Sequence, residues 1–410
     1  TRVSYVPMTL EEKAARMEAA TRARHVRHGL VSDSDLTRPG DLSSNITSTS
    51  DNDGLWTAMY IAAECYRYAV TKDPEARAFA RQSLEAMMFL QTVTEMPGFV
   101  ARSFALPNER HCAGEWDHFT SDGNWRWKGD TSSDEIDGHY YAYSLYFDLL
   151  ADEKEKEEIR AKVRLITDYI VDHNFYLLDT DGKPTTWGHW NYIGIKAVMP
   201  SRGLNSLEIL SHLKVAHHIT GDEKYERVYR ELAIKRRYAW FTVYQKFTFP
   251  PSAVNHSDDE LAFLSYYPLL KYEKDPELLK YYHASLRRSY RIEEPEKCPL
   301  WNFIYGAVMP EGTPWDLDGA VETLKLISLN LVRWEHYNSH RDDVKIKWTR
   351  GRFKELESTV PLPPDERTVM KWNGNPYRLD TGGNGRSEEA GTFWLLPYWM
   401  GRYYGFIVEE

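Results

Sequence analysis

The sequence predicts an all-α protein: a closed (α/α)6 toroid of six helical hairpins, with long loops and a small β-hairpin. Three observations predict it. Six apolar, aromatic-rich helical stretches alternate with charged amphipathic ones. A knot of polar residues precedes most of the apolar stretches, and four short turns share one design. Helices that are apolar all round are buried, whereas one charged face marks a helix that covers a core. Six buried helices inside six covering ones close a ring. If the inner helices run parallel, their starts open on one face, where the polar knots gather.

The elements follow in order. Residues 10–28 form a helix that completes the outer ring. The inner stretches are 55–70, 138–150, 204–219, 259–270, 318–333 and 390–404. Before them stand Asp51-Asn52-Asp53, Asp134-Glu135-Ile136-Asp137, Trp187-Gly188-His189-Trp190, Asn255-His256-Ser257-Asp258, Trp315-Asp316 and Gly385-Arg386-Ser387-Glu388. Charged helices are expected over 76–94, 155–171, 225–246 and 278–290. The turns before them, at Asp73-Pro74, Asp152-Glu153, Asp222-Glu223 and Asp275-Pro276, let Asp cap the next helix. Pro at the first helical position loses no hydrogen bond, and Glu in the first turn complements the helix dipole. Asp181-Gly182 reads as the turn of the β-hairpin.

The 410 residues are 42% hydrophobic, enough for one large core, and no linker composition divides them. One catalytic domain over 1–410 is expected. No apolar run reaches the roughly 18 residues that a membrane span needs. The opening Thr1-Arg2-Val3-Ser4 lacks Met, so a trimmed chain is expected. Net charge is −10, spread along the chain without a basic stripe, which argues against nucleic acid. Cys65, Cys112 and Cys298 show no metal spacing. No cofactor and no metal is expected, since the histidines lack HxxH or HExxH spacing.

Chemistry concentrates in the knots. Asp51 and Asp53 precede the first inner helix, and Gly54 permits close backbone approach. Asp134, Glu135 and Asp137 precede the second, followed by His139 and Tyr140. A single Asp there is a cap, but three acids in four positions exceed what a cap needs. Two carboxylates facing across a cavity serve glycoside cleavage as acid and base. His256 opens the fourth inner helix, where Ser257 and Glu260 fit a capping box. Trp127, Trp187 and Trp190 offer flat faces to sugar rings, with His189, Asn191 and Glu388 beside them as polar contacts. Arg202 and Arg386 are placed to bind an anionic sugar, because guanidinium pairs with carboxylate bidentately.

Asp51-Asn52-Asp53-Gly54-Leu55-Trp56 and Glu135-Ile136-Asp137-Gly138-His139 resemble the two inner-helix starts of unsaturated glucuronyl hydrolases. More broadly the chain resembles six-hairpin α/α-toroid carbohydrate-active enzymes, including uronate-acting glycosidases and polysaccharide lyases. The resemblance implies an oligosaccharide or polysaccharide substrate. It also implies Asp137 as one catalytic carboxyl and Asp51 or Asp53 as the other. The lyase alternative, β-elimination at a uronate, would use His139, Tyr140, His189, Asn191, His256 and Arg386. A non-catalytic glycan-binding protein is a third reading. A secreted or periplasmic location is expected over a cytoplasmic one, and oligomeric state is left open.

Overall fold

The computed structural model describes residues 4–197, 201–246 and 255–408. The leading Thr1-Arg2-Val3 lies outside the described residues. Fourteen helices carry these residues. They begin with α1 (Leu10–Arg24), α2 (Asp53–Thr71), α3 (Pro74–Thr92), α4 (Ser133–Leu149) and α5 (Glu153–Asp172). Next come α6 (Tyr192–Ala197), α7 (Arg202–Thr220), α8 (Glu223–Arg230), α9 (Tyr238–Phe241) and α10 (His256–Tyr272). The last are α11 (Pro276–Glu293), α12 (Pro299–Val308), α13 (Leu317–Leu326) and α14 (Thr392–Tyr403).

Six of them close a ring. α2 packs on α4, α4 on α7, α7 on α10, α10 on α12, α12 on α14, and α14 returns to α2. Behind them stand α3, α5, α8, α11, α13 and α1, each against its inner partner. Starts meet starts and ends meet ends. At one face the Asn52 amide reaches Asp134, linking the starts of α2 and α4. At the other, Asp148 of α4 accepts from His218 at the end of α7 (2.7 Å) and from Lys271 and Tyr272 of α10 (2.8 Å each). The inner helices therefore run parallel. Near their ends Tyr66, Tyr141, Tyr267 and Tyr404 fill the axis, with the last two hydroxyls 2.6 Å apart. Toward the ends the axis is closed by these phenol rings.

The four turns behave as their residues dictate. Asp73, Asp222 and Asp275 accept from Glu75, Lys224 and Glu277 amides at 2.9, 2.9 and 3.0 Å. Asp152 and Glu155 form a reciprocal capping box. The Asp181-Gly182 turn closes a short hairpin through Leu178 and Pro184.

Three expectations need correction. The fifth inner helix is α12, and residues 318–333 are not one buried helix. α13 lies outside, and the chain leaves it for a strand. The expected knot Trp315-Asp316 caps this outer helix, with Asp316 accepting from Gly319 (2.9 Å). The charged helix over 225–246 breaks after Arg230 into a π-turn at Glu231–Lys235. Arg237 then adopts φ 65°, and the chain folds back so that Tyr238 donates to the Trp190 carbonyl at 2.9 Å.

The third correction concerns the glycine-rich segment before α14, which is a strand. The strands are β1 (Val26–Arg27), β2 (Leu30–Val31), β3 (Asp33–Leu36), β4 (Asn45–Ser48), β5 (Ser103–Ala105), β6 (His118–Phe119), β7 (Arg126–Lys128), β8 (Val332–Tyr337) and β9 (Asp380–Glu388). The order β4-β3-β9-β8 puts β9 in the middle of a sheet. Gly382 has φ 116°, and a Cβ there would fall 2.1 Å from the Trp334 carbonyl oxygen, so only glycine lets β8 and β9 pair.

Glu388 ends β9 buried and fastens this sheet to α1. Arg24 donates two bonds to it, at 2.6 and 2.7 Å, and His25 stands 3.5 Å away. Burial alone would raise its carboxyl, but Arg24 and His25 hold it at about 2. An unfolded Glu titrates near ~4.3, so the folded value is depressed. The pair's contribution to stability is therefore present above that pH and lost as pH falls toward about 2. Acid titration of the denaturation midpoint is expected to show this loss, and Glu388→Gln to flatten it. An unchanged acid slope in Glu388→Gln would sink the assignment.

Candidate functional site

The face where the inner helices start carries a set of carboxyls that feel one another's charge. Asp134 sits in the first turn of α4, half-buried, accepting from Ser132 Oγ at 2.9 Å and Asn52 Nδ2 at 3.4 Å. Burial pushes its carboxyl up, while Ser132 and Arg102 pull it back. Asp258 occupies the first turn of α10, which packs against α4. It is half-buried, bonded by the Asn255 amide, and also pushed up by burial, with the Asp134 charge adding to the rise.

Two glutamates stand behind this pair. Glu208 lies inside α7 and accepts from the Trp190 indole at 2.6 Å. Burial raises it to about 8, against the Trp190 bond and with the charges of Asp134 and Asp258 adding. Glu260 of α10 accepts from the Trp372 indole at 2.5 Å and is raised to about 8 by burial, Asp134 again adding. Four carboxyls from three consecutive inner helices thus feel one another, and Asp134 is common to all. Glu208 and Glu260 are fully buried, so Asp134 and Asp258 are the two that a ligand can reach.

One turn below Asp134 lies a dry layer. Three residues of helix are about 4.5 Å of rise. There Asp137 bonds His212 Nε2, both side chains about 1% exposed. His212 stacks on Tyr140 with centroids 4.5 Å apart and takes the Trp190 ring edge-on. Burial pushes Asp137 well above the carboxylate range and His212 down to about 3.

The expected site residues divide accordingly. Asp53 is fully buried beside the ring: Ser50 donates at 2.8 and 2.7 Å, Ser103 at 2.5 Å and Arg27 at 3.2 Å. It fastens β1, the start of α2 and β5 together and does not face Asp137. Asp51 is largely exposed and paired with Arg102 and Lys128, which overcome its partial burial and hold it low. His139 points at α3, its two ring nitrogens meeting the Glu135 and Met87 carbonyls. Tyr140 bonds Thr167 of α5 at 2.6 Å. His256 is buried against Glu296 and Asp259, at 3.6 and 3.9 Å.

The expected binding residues are similarly committed. Trp127 is buried in a stack on His118. Trp190 is fully buried, so it supports Glu208 and offers no face to a sugar. Asn191 and His189 hold their own loop, through the Asn174 and Thr185 carbonyls. Arg202 donates to the Ile195 and Lys196 carbonyls. Arg386 lies exposed on β9, bonded to the Thr37 carbonyl, and Glu388 is spent on Arg24. Trp187 alone keeps an exposed ring, at 59%.

The sequence reading chose Asp137 over Asp134 in the second knot, and it missed Asp258 as a site residue, and with it Glu208, Glu260 and Trp372. An acid inside the apolar stretch 204–219 was the signal for Glu208. Glu260 does not close the expected capping box, because α10 has no side-chain cap.

Two groups among the described residues bring metal-ligand atoms within 4.8 Å of one another: Glu115, His118 and Asp179 at the surface, and the buried His256, Asp259 and Glu293. In the buried group the Lys246 ammonium already pairs with both carboxylates. Cys65, Cys112 and Cys298 are free thiols. Among the described residues no helix is long and apolar enough to cross a membrane.

This ring and mouth define a helical toroid with an acidic axial site. The sequence matches no protein-family model and no curated protein. In structure the chain is similar to a D-mannose isomerase, with 13% identity, TM-score 0.45, and coverage of 97% of this chain and 96% of that one. It is also similar to a family 76 glycoside hydrolase (mannosidase) from Bacteroides thetaiotaomicron VPI-5482, with 11% identity, TM-score 0.34, and coverage of 70% and 88%. A family 76 glycoside hydrolase from a bovine Bacteroides thetaiotaomicron strain gives 12% identity, TM-score 0.30, and coverage of 73% and 70%.

Proposed function

We propose that the protein is a carbohydrate-active enzyme that hydrolyses a glycosidic bond in an acidic, uronate-containing oligosaccharide. Asp134 and Asp258 are its paired base and acid. One observation carries this: they are the reachable carboxyls of the mouth, on packed helices, and burial pushes both up. Asp258 in its acid form gives its proton to the glycosidic oxygen as the bond breaks. Asp134, bonded by Ser132 and Asn52 and drawn toward its anion by Ser132 and Arg102, takes a proton from the water that attacks the anomeric carbon. The two carboxyls then exchange protons with solvent. Glu208 and Glu260, fixed by indole N–H groups, back the pair from inside the ring.

Hydrolysis is favoured over β-elimination because His139 and Tyr140 are spent on helix packing. The acidic substrate rests on Arg352, whose charge reaches Asp258 from the rim. The test is a product assay on uronate-containing and neutral oligosaccharides, read by reducing ends and ultraviolet absorbance together. New reducing ends without an unsaturated chromophore are expected. A chromophore would replace hydrolysis by elimination, and no new ends on any substrate would overturn the reading.

A further inference from the structure

Residues 345–354 break the even spread of charge. They read Lys-Ile-Lys-Trp-Thr-Arg-Gly-Arg-Phe-Lys: five cations and no acid in a chain of net charge −10. They form one arm and the tip of a β-ribbon. Lys347 N donates to the Glu357 carbonyl and Thr359 N to that of Lys345, each at 2.8 Å, and Ile346 pairs with Ser358. The base is fixed. Buried Glu357 accepts from Asn375 at 2.6 Å and from Lys347 at 3.0 Å. Asn375 follows by three residues the Trp372 whose indole holds Glu260 in the mouth. The ribbon therefore rises from the rim of the site.

Its tip is unusual for a folded surface. Trp348 is 96% exposed and Phe353 77% exposed. Among the described residues Lys345, Arg350, Arg352 and Lys354 form no salt bridge with any acid. Buried aromatics are ordinary, whereas a free Trp between unpaired cations on an anchored ribbon is available to a ligand. The mouth itself is lined with acids and would repel an anionic sugar. Arg102, the cation beside Asp134, is already bonded to Asp51, Asn52 and the Asp130 carbonyl, and Arg352 on the ribbon is near enough to Asp258 for its charge to be felt there.

We propose that this ribbon tip is a binding subsite for the uronate residues that flank the cleaved bond of an acidic oligosaccharide. The proposal rests on the hydrolytic reading of the mouth and adds where the anionic part is held. Trp348 lies flat against the C–H face of a pyranose ring, and Arg350 and Arg352 pair with its carboxylates. The catalytic carboxyls then handle a bond whose neighbouring charges are neutralised outside the ring.

The test is equilibrium binding to the full chain, which does not depend on whether the mouth cleaves. The probes are hexagalacturonate and its fully methyl-esterified form, titrated into wild type, Asp134→Asn, Trp348→Ala and the double variant Arg350→Ser/Arg352→Ser. The acidic hexamer is expected to bind. Trp348→Ala and the double variant should each weaken it about tenfold or more, as loss of a stacking platform does. Asp134→Asn should leave it bound, and the esterified hexamer should not sense the arginines. Duplex DNA and phosphatidylserine vesicles are titrated at the same salt. Either of these binding more tightly than the hexamer through the same residues would overturn the proposal. So would equal hexamer affinity in wild type and both ribbon variants, or no hexamer binding at all. Cleavage failing while ribbon binding persists would sink only the hydrolytic reading.

Discussion

Asp134→Asn is expected to lower turnover by about a hundredfold or more with the fold intact, the usual worth of a positioned general base. The amide keeps the shape and one oxygen to accept from Asn52, and its NH2 can turn to the Ser132 hydroxyl, but it cannot take a proton from water. Asp258→Asn should cost a similar factor, and the double variant little more, because the two act as one unit. The pH dependence has a definite sign. Activity rises as pH passes the raised value of Asp134, which must lose its proton, and falls as pH passes that of Asp258, which must keep its own. Both limbs lie above the ordinary Asp range, and Asp134→Asn should remove the lower one. Asp137→Asn is the control. Asp137 is bonded to His212 in the dry layer, out of a ligand's reach, so an isosteric amide should keep most of the turnover. If Asp137→Asn abolishes turnover while Asp134→Asn does not, the pair is misassigned. The measurements are kcat against pH and the thermal midpoint.

Arg27→Met is expected to be the most damaging single change to stability, at about 3–5 kcal/mol, the range for breaking a buried charge pair. Arg27 is 5% exposed and donates to Asp53 at 3.2 Å and to the Phe104 carbonyl at 2.7 Å. Removing it leaves the fully buried Asp53 with two serines and no opposite charge. The loss should appear as a lower unfolding midpoint, and kcat per folded molecule should be close to unchanged. A large fall in kcat with a normal midpoint would return Asp53 to the catalytic machinery.

The ring was legible because its signals are local. Apolar stretches, Asp-Pro turns and charged helices each follow from neighbouring residues, and five of six inner helices lie where the pattern put them. The fifth was hidden because α12 is only ten residues long and follows α11 after a single 3-10 turn. The amphipathic α13 nearby carried the clearer cap, Asp316. The site was only partly legible for a related reason. Reading the knots drew attention to residues before helices, yet Glu208 and Glu260 act from inside them. Asp134 and Asp137 stand three apart on one helix, and no local rule says which turn is wet. That depends on where α7 and α10 begin, some seventy to a hundred and twenty positions away in the chain. Arg386 failed because strand pairing with β3 and β8, a long-range matter, claimed the glycine-rich segment.

The sixth hairpin is unlike the others, because α1 and α14 come from opposite ends of the described chain. Tyr60 of α2 bonds Glu18 of α1 at 2.5 Å, Lys13 donates to the Leu324 carbonyl, and Gly391 N meets Thr21 Oγ1 at 3.0 Å. Five hairpins can assemble in chain order, but the circle has a seam, and only α14, the last of the ring helices along the chain, can seal it against α1 and α2. Until then the flank of α2 that α14 will cover stays bare. Closure of loops this long is slow compared with helix formation. Refolding should therefore pass through an open arc that is already helical but still binds hydrophobic dyes. Deleting α14 should trap the protein as that arc, with the mouth unformed although each of its acidic residues is present.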